Sequence, residues 1–254
     1  MVVHYHIFKN AGTSIDQCLG ESFGDRWDSY DPDPDWANVT TAQLLEYLTE
    51  RPDLRALSSH QLRWPHPRTD TIRVHPLVFI RHPIDRVASV YAFLHRIEHR
   101  DAVGRTFPEF VDWLTSFEGG MVGCSFQTLF LSDDDHLRGV SRATSDHLAQ
   151  AVARIDSLPA FGIVERFDES VMWFEATLRP TFAQLRLRSI HHNSLRSEVP
   201  LEQRLQDIEG ALGQALHRRL VERNEADLEL YEHAVTSFAA RHIARSDLTE
   251  FAPG

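Results

Sequence analysis

Lys9 is the only lysine in a chain of 254 residues that otherwise draws its basic charge from arginine. It stands in HIFKNAGTS (residues 6–14), where a β-rich run ends and a Gly-Thr-Ser turn opens a helix. A strand that turns into a helix in this way aims several backbone N–H groups, and the positive end of the helix, at one spot. Gly12 lets the backbone approach an anion closely, the hydroxyls of Thr13 and Ser14 add donors, and Lys9 adds a compact charge on a flexible stem. The pattern is not the Walker one, because the lysine precedes Gly12 by three residues and no GxxxxGK[ST] occurs. By itself the turn reads equally well as a helix cap beside an exposed lysine.

A second turn lies in FIRHPIDRVASVY (residues 79–91). Arg81 leaves a strand, Pro83 starts a helix, and Ser89 follows Arg81 by eight residues, two helical turns along. A guanidinium and a helix hydroxyl so placed suit a phosphate. Alone, the pair reads as a surface arginine and a buried serine. Together the two turns point to a ligand with two separate anionic groups.

These residues carry a resemblance. FKNAGTS resembles the 5′-phosphosulfate loop, and RHPIDRVASVY the 3′-phosphate motif, of the sulfotransferases that use 3′-phosphoadenosine-5′-phosphosulfate (PAPS). GIVERFDESVMWFEATL and NEADLELYEHA are similar to the post-strand and closing helices of the carbohydrate branch that includes heparan sulfate 2-O-sulfotransferase. The likeness runs across most of the chain. It implies that Lys9 contacts the bridging oxygen and the phosphosulfate, that Ala11, Gly12, Thr13 and Ser14 cradle the 5′-phosphate with Asn10 also among the cofactor-binding residues, and that Arg81 and Ser89 bind the 3′-phosphate. HHNSLRSEVP (residues 191–200) resembles the late cofactor loop, with Ser194 and Arg196 as its donors. Phe8, Asn10 and His82 depart from the family, which usually has proline, threonine and aspartate there.

Sulfuryl transfer needs an in-line acceptor, removal of the acceptor proton and stabilisation of the leaving phosphate oxygen. Lys9 suits the last. His60, in ALSSHQL at the end of a second strand, faces the same rim, occupies the position of that branch's catalytic histidine, and titrates near neutrality. Glu165, which also follows a strand, is the reserve base. His4 and His6 alternate on one strand face without a third ligand spaced nearby, so they read as packing residues. No metal is expected.

The elements that must position these groups follow from the hydrophobic pattern. Strands are expected at 2–8, 54–60, 71–81 and 161–164, and helices in TSIDQCLG closed by Gly20, in TTAQLLEYL, from Pro83, at 107–117 and 145–156, through ESVMWFEATL, and along Leu228, Tyr231, Val235, Phe238 and His242. YDPDPDW (30–36) reads as loop and SDDD (132–135) as a solvated turn. Alternation of this kind predicts an α/β fold in one domain spanning 1–254, with a P-loop-like central parallel sheet flanked by helices, further helices toward the C-terminus, and ligands beyond the carboxyl ends of the strands.

Composition narrows the field. Apolar residues make up 42% and charged residues 25% of the chain, as in ordinary globular proteins. A net charge of −11 leaves no basic excess for a nucleic-acid backbone. Two cysteines without CxxC spacing give neither a disulfide framework nor a zinc signature, and no long apolar run reads as a leader or a span, so a cytoplasmic home is expected. The reading is therefore a metal-independent O-sulfotransferase acting on a saccharide, lipid or small-molecule hydroxyl. The scattered arginines offer no basic groove for a highly sulfated glycan. Two alternatives stay open: a kinase-like nucleotide phosphotransferase, and a non-catalytic module that binds adenosine bisphosphate.

Overall fold

The computed structural model describes residues 1–32, 38–67, 69–96, 106–116, 124–132, 142–188 and 199–250. Six short strands, β1 (Val2–Tyr5), β2 (Trp27–Ser29), β3 (Ala56–Ser59), β4 (His75–Leu77), β5 (Phe79–Ile80) and β6 (Gly162–Ile163), are all paired in parallel. Four of them form a sheet in the order β2-β3-β1-β4, and β5 pairs with β6. Val2, Val3 and Tyr5 on β1 and Ala56 and Leu57 on β3 are fully buried, as central parallel strands require.

The expected strand over 71–81 is two pieces. β4 pairs with β1, and after Val78, whose carbonyl accepts from the Gly162 N–H at 2.8 Å, β5 continues beside β6. Gly162 has to be glycine here, because a Cβ would stand 2.4 Å from the Phe79 ring.

Nine helices flank the strands among the described residues: α1 (Gly12–Phe23), α2 (Thr41–Glu50), α3 (Pro83–Arg96), α4 (Phe107–Ser116), α5 (Phe126–Leu131), α6 (Ser145–Ser157), α7 (Phe167–Leu178), α8 (Leu201–Arg223) and α9 (Glu225–Glu250). Helix α1 does not stop at Gly20. It runs on to Phe23, and Gly24 ends it at φ 56° with its N–H on the Gly20 carbonyl. One apolar core joins the sheet to α1, α2, α6, α7 and α9, and a second, around Ile84, Val87, Phe110, Leu114, Ile208 and Leu220, joins α3, α4 and α8. Both cysteines are free thiols, and no described helix is long and apolar enough to cross a membrane.

In a parallel sheet every strand ends at the same edge. In the four-stranded sheet that edge collects the segments after β1 (His6–Ala11), β2 (Asp31) and β3 (His60), and hydrogen bonds from Arg81 to the Lys9 carbonyl and from the His82 N–H to Glu165 bring the ends of β5 and β6 alongside it.

Candidate functional site

The turn after β1 is tightly wound. Lys9 and Ala11 both take left-handed backbone (φ 68° and 64°), and α1 starts at Gly12. The N–H groups of Ala11, Gly12 and Thr13 find no acceptor among the described residues, so they are open for an anion at the helix start. The ammonium of Lys9 lies 4.4 Å from the centre of the Phe93 ring on α3. Phe8 meets Phe93 edge-on at 5.3 Å and the His60 ring at 6.0 Å, so this aromatic pair links Lys9 to His60. Thr13 is exposed and Ser14 half-buried.

Asn10 points the other way. Its side chain is buried, and Nδ2 donates to the Phe79 carbonyl and to Gln127 Oε1, both at 2.7 Å. Asn10 was expected among the cofactor-binding residues; its side chain anchors the turn to β5. Gln127 on α5, which no sequence pattern singles out, braces both turns. Its Oε1 also accepts from the Arg81 N–H at 2.9 Å, and its Nε2 donates to the Arg81 carbonyl at 2.8 Å. Asp227 on α9 holds α5 in place by accepting from the N–H groups of Gln127 and Thr128.

Arg81 joins the two turns directly. One terminal nitrogen donates to the Lys9 carbonyl at 2.9 Å, while Nε and the other terminal nitrogen donate to Asp85 Oδ2 at 2.9 and 2.6 Å. Arg204 from α8 forms an ion pair with the other oxygen of Asp85 at 3.2 Å. Arg81 is therefore first a clamp, and two of its five N–H donors have no acceptor among the described residues. Ser89 sits half-buried on α3, on the helix that Arg81 precedes. Ser194 and Arg196, with His191 and His192, lie outside the described residues.

His60 follows β3. Its Nδ1 lies 2.9 Å from the His6 carbonyl, which only accepts, so Nδ1 carries the proton and Nε2 keeps a lone pair. Nε2 has no partner among the described residues. Asp31 fixes the backbone by accepting from Ser59 Oγ and the His60 N–H at 2.8 Å and from the Gln61 N–H at 3.3 Å. Burial, and then the neighbouring charge of His6, holds His60 below the ordinary imidazole value. Glu165 is differently placed: its oxygens accept from the His82 N–H at 3.0 Å and the Tyr231 hydroxyl at 3.3 Å, and burial pushes its carboxyl up.

The third group that spacing failed to give His4 and His6 is Asp16, one turn into α1. His4 Nδ1 lies 2.7 Å from Asp16 Oδ1 and His6 Nδ1 3.0 Å from Oδ2. The three sets of donor atoms fall within 4.8 Å of one another, near enough to share a cation, yet the carboxylate already takes both imidazoles. Burial pushes the Asp16 carboxyl up, but the charge of His4 and the hydrogen bonds from both histidines overcome it and hold Asp16 well below the carboxylate range. This partner becomes legible once 2–5 is a strand and 12–23 a helix, since a tight turn sets the second helical turn against the strand's end.

No family model matches the chain. A protein of Archaeoglobus fulgidus, described as uncharacterized, is 28% identical over 251 residues, which cover 94% of this chain and 97% of that one.

Proposed function

We propose that the protein is a PAPS-dependent O-sulfotransferase with a P-loop-like donor site. The observation that carries the reading is one edge of the sheet: three N–H groups and a histidine Nε2, none with a partner among the described residues, lie with an ammonium on adjacent turns, and Arg81 ties in the turn expected to hold a second phosphate. In the reaction the acceptor hydroxyl loses its proton to His60 Nε2 as its oxygen forms a bond to sulfur. The bond from sulfur to the bridging phosphate oxygen breaks, and the electron pair goes to that oxygen. Lys9 and the N–H groups of Ala11 to Thr13 stabilise the charge that develops there. The lone pair held ready on Nε2 favours His60 over Glu165, whose oxygens are both engaged.

The phosphotransferase alternative needs a carboxylate to hold a nucleotide-bound Mg²⁺. At this edge Asp16, Asp31 and Glu165 accept hydrogen bonds from His4 and His6, from Ser59 to Gln61, and from His82 and Tyr231 respectively, which favours sulfuryl transfer. Free thiols fit a cytoplasmic setting, and the acceptor is a saccharide, lipid or small-molecule hydroxyl. An acceptor screen with PAPS carrying labelled sulfate tests the reading. Label transferred to a hydroxyl acceptor in the presence of EDTA is the expected result. Transfer of phosphate from ATP with a divalent metal, and none of sulfate, overturns it.

A further inference from the structure

We propose that His6 is a positioning residue for His60, held by Asp16 and seated in the space left by the missing side chain of Gly12. The inference rests on the reading of His60 as the base. The rings of His6 and His60 lie 3.7 Å apart at their centres, tilted by 34°, and the His6 carbonyl takes the Nδ1–H of His60. One residue thus fixes both the tautomer and the face of the base. His6 is fixed in turn by its Nδ1 on Asp16 and by a stack on His4 at 4.9 Å.

The far side of the His6 ring explains the glycine. A Cβ built on Gly12 would stand 1.6 Å from His6 Nε2 and 2.0 Å from Cδ2. The first-ranking role of this glycine is to admit an imidazole. The groups facing His60 are His6 from β1's end, Asp16 from α1 and Asp31 from the loop after β2. Burial and then the charge of His6 both lower the titration of His60, and the His6 ring stacked at 3.7 Å covers one face of it, so losing that ring moves the titration upward.

The test is an NMR titration of the His60 imidazole in the full chain, alongside turnover. In the His6→Ala protein the His60 midpoint rises toward the ordinary imidazole value, and kcat falls by up to about 10²-fold, the effect of misplacing a reacting group by an ångström. Affinity for adenosine 3′,5′-bisphosphate falls by less than kcat does, because the His6 ring packs against Gly12 without offering a donor to the phosphate. His6→Phe keeps the stacked ring and covers the case in which His6→Ala does not fold; it removes the charge and the bond to Asp16 but not the ring, and moves the midpoint in the same direction by less. An unmoved His60 midpoint in a folded His6 variant overturns the positioning role. A moved midpoint in a protein that transfers no sulfate to any acceptor upholds the positioning and removes the base reading alone.

Discussion

Replacing Gly12 by alanine isolates one steric fact. The backbone of Gly12 lies outside the left-handed region, so alanine is acceptable to it, and at the first residue of α1 the exchange gains less than the about 1 kcal/mol of a helix interior. Against that, the new methyl would stand 1.6 Å from His6 Nε2, where ordinary contact begins at 3.4 Å, so the ring must retreat. Overpacking of this kind costs about 1–3 kcal/mol. A ring that retreats also loses its 3.0 Å bond to the ionised Asp16, worth about 1.5–3 kcal/mol. The net destabilisation is about 2–5 kcal/mol, or a drop of roughly 5–15 °C in Tm for a chain of this size. Denaturant unfolding and thermal melts measure it. The double variant Gly12→Ala/His6→Ala removes the obstacle, so its loss should be well below the sum of the two single losses. A Gly12→Ala protein within about 0.5 kcal/mol of wild type, or strictly additive losses, would refute the reasoning.

His60→Ala should lower turnover by roughly 10²–10⁴-fold with bisphosphate affinity nearly unchanged, as steady-state kinetics and calorimetry on one preparation would show. Lys9→Ala should cost roughly 10²–10³-fold and also weaken the donor, and Lys9→Arg should not restore turnover, because a planar fork cannot replace a compact ammonium in so tight a turn; wild-type turnover in Lys9→Arg would contradict the assignment. The acid limb of kcat/KM should fall below the ordinary imidazole range, since burial and then the charge of His6 depress His60 and its neutral form persists to lower pH. Stability should fall as pH drops from 6.5 toward 4, because burial holds His82 at about 4 while the unfolded chain binds that proton near 6.5; His82→Gln should flatten this part of a pH series of unfolding curves.

The strand–turn–helix after β1 and the helix from Pro83 were legible because apolar runs end there at Gly and Pro signals. His60 and Glu165 could be placed at the same edge because parallel strands share one end. What the pattern hid was long-range or weakly marked. Strand β2 is three residues long with a half-exposed face, and α8 buries only Ile208, Leu212 and Leu220 along 23 residues, with Gly213 breaking its regular backbone. The split between β4 and β5 depends on β6, some eighty residues away, which no local window contains. Asn10 and Gln127 look like ordinary polar residues until the fold sets them 2.7 Å apart. Arg81 stands out in the sequence as an arginine at a strand end, but its buried partner Asp85 in the first turn of α3 and the Lys9 carbonyl, 72 residues distant, show only in the fold.

The central claim, one donor site made of two joined phosphate turns, is tested most directly by calorimetry of adenosine 3′,5′-bisphosphate against AMP on the same protein. AMP offers a phosphate to the turn before α1 alone, whereas the bisphosphate also engages the Arg81 and Ser89 turn. One charge-assisted hydrogen bond of about 1.5–3 kcal/mol makes the bisphosphate tighter by roughly 10- to 150-fold, and Ser89→Ala should narrow that gap without altering AMP binding. Equal affinity for the two nucleotides would contradict the account.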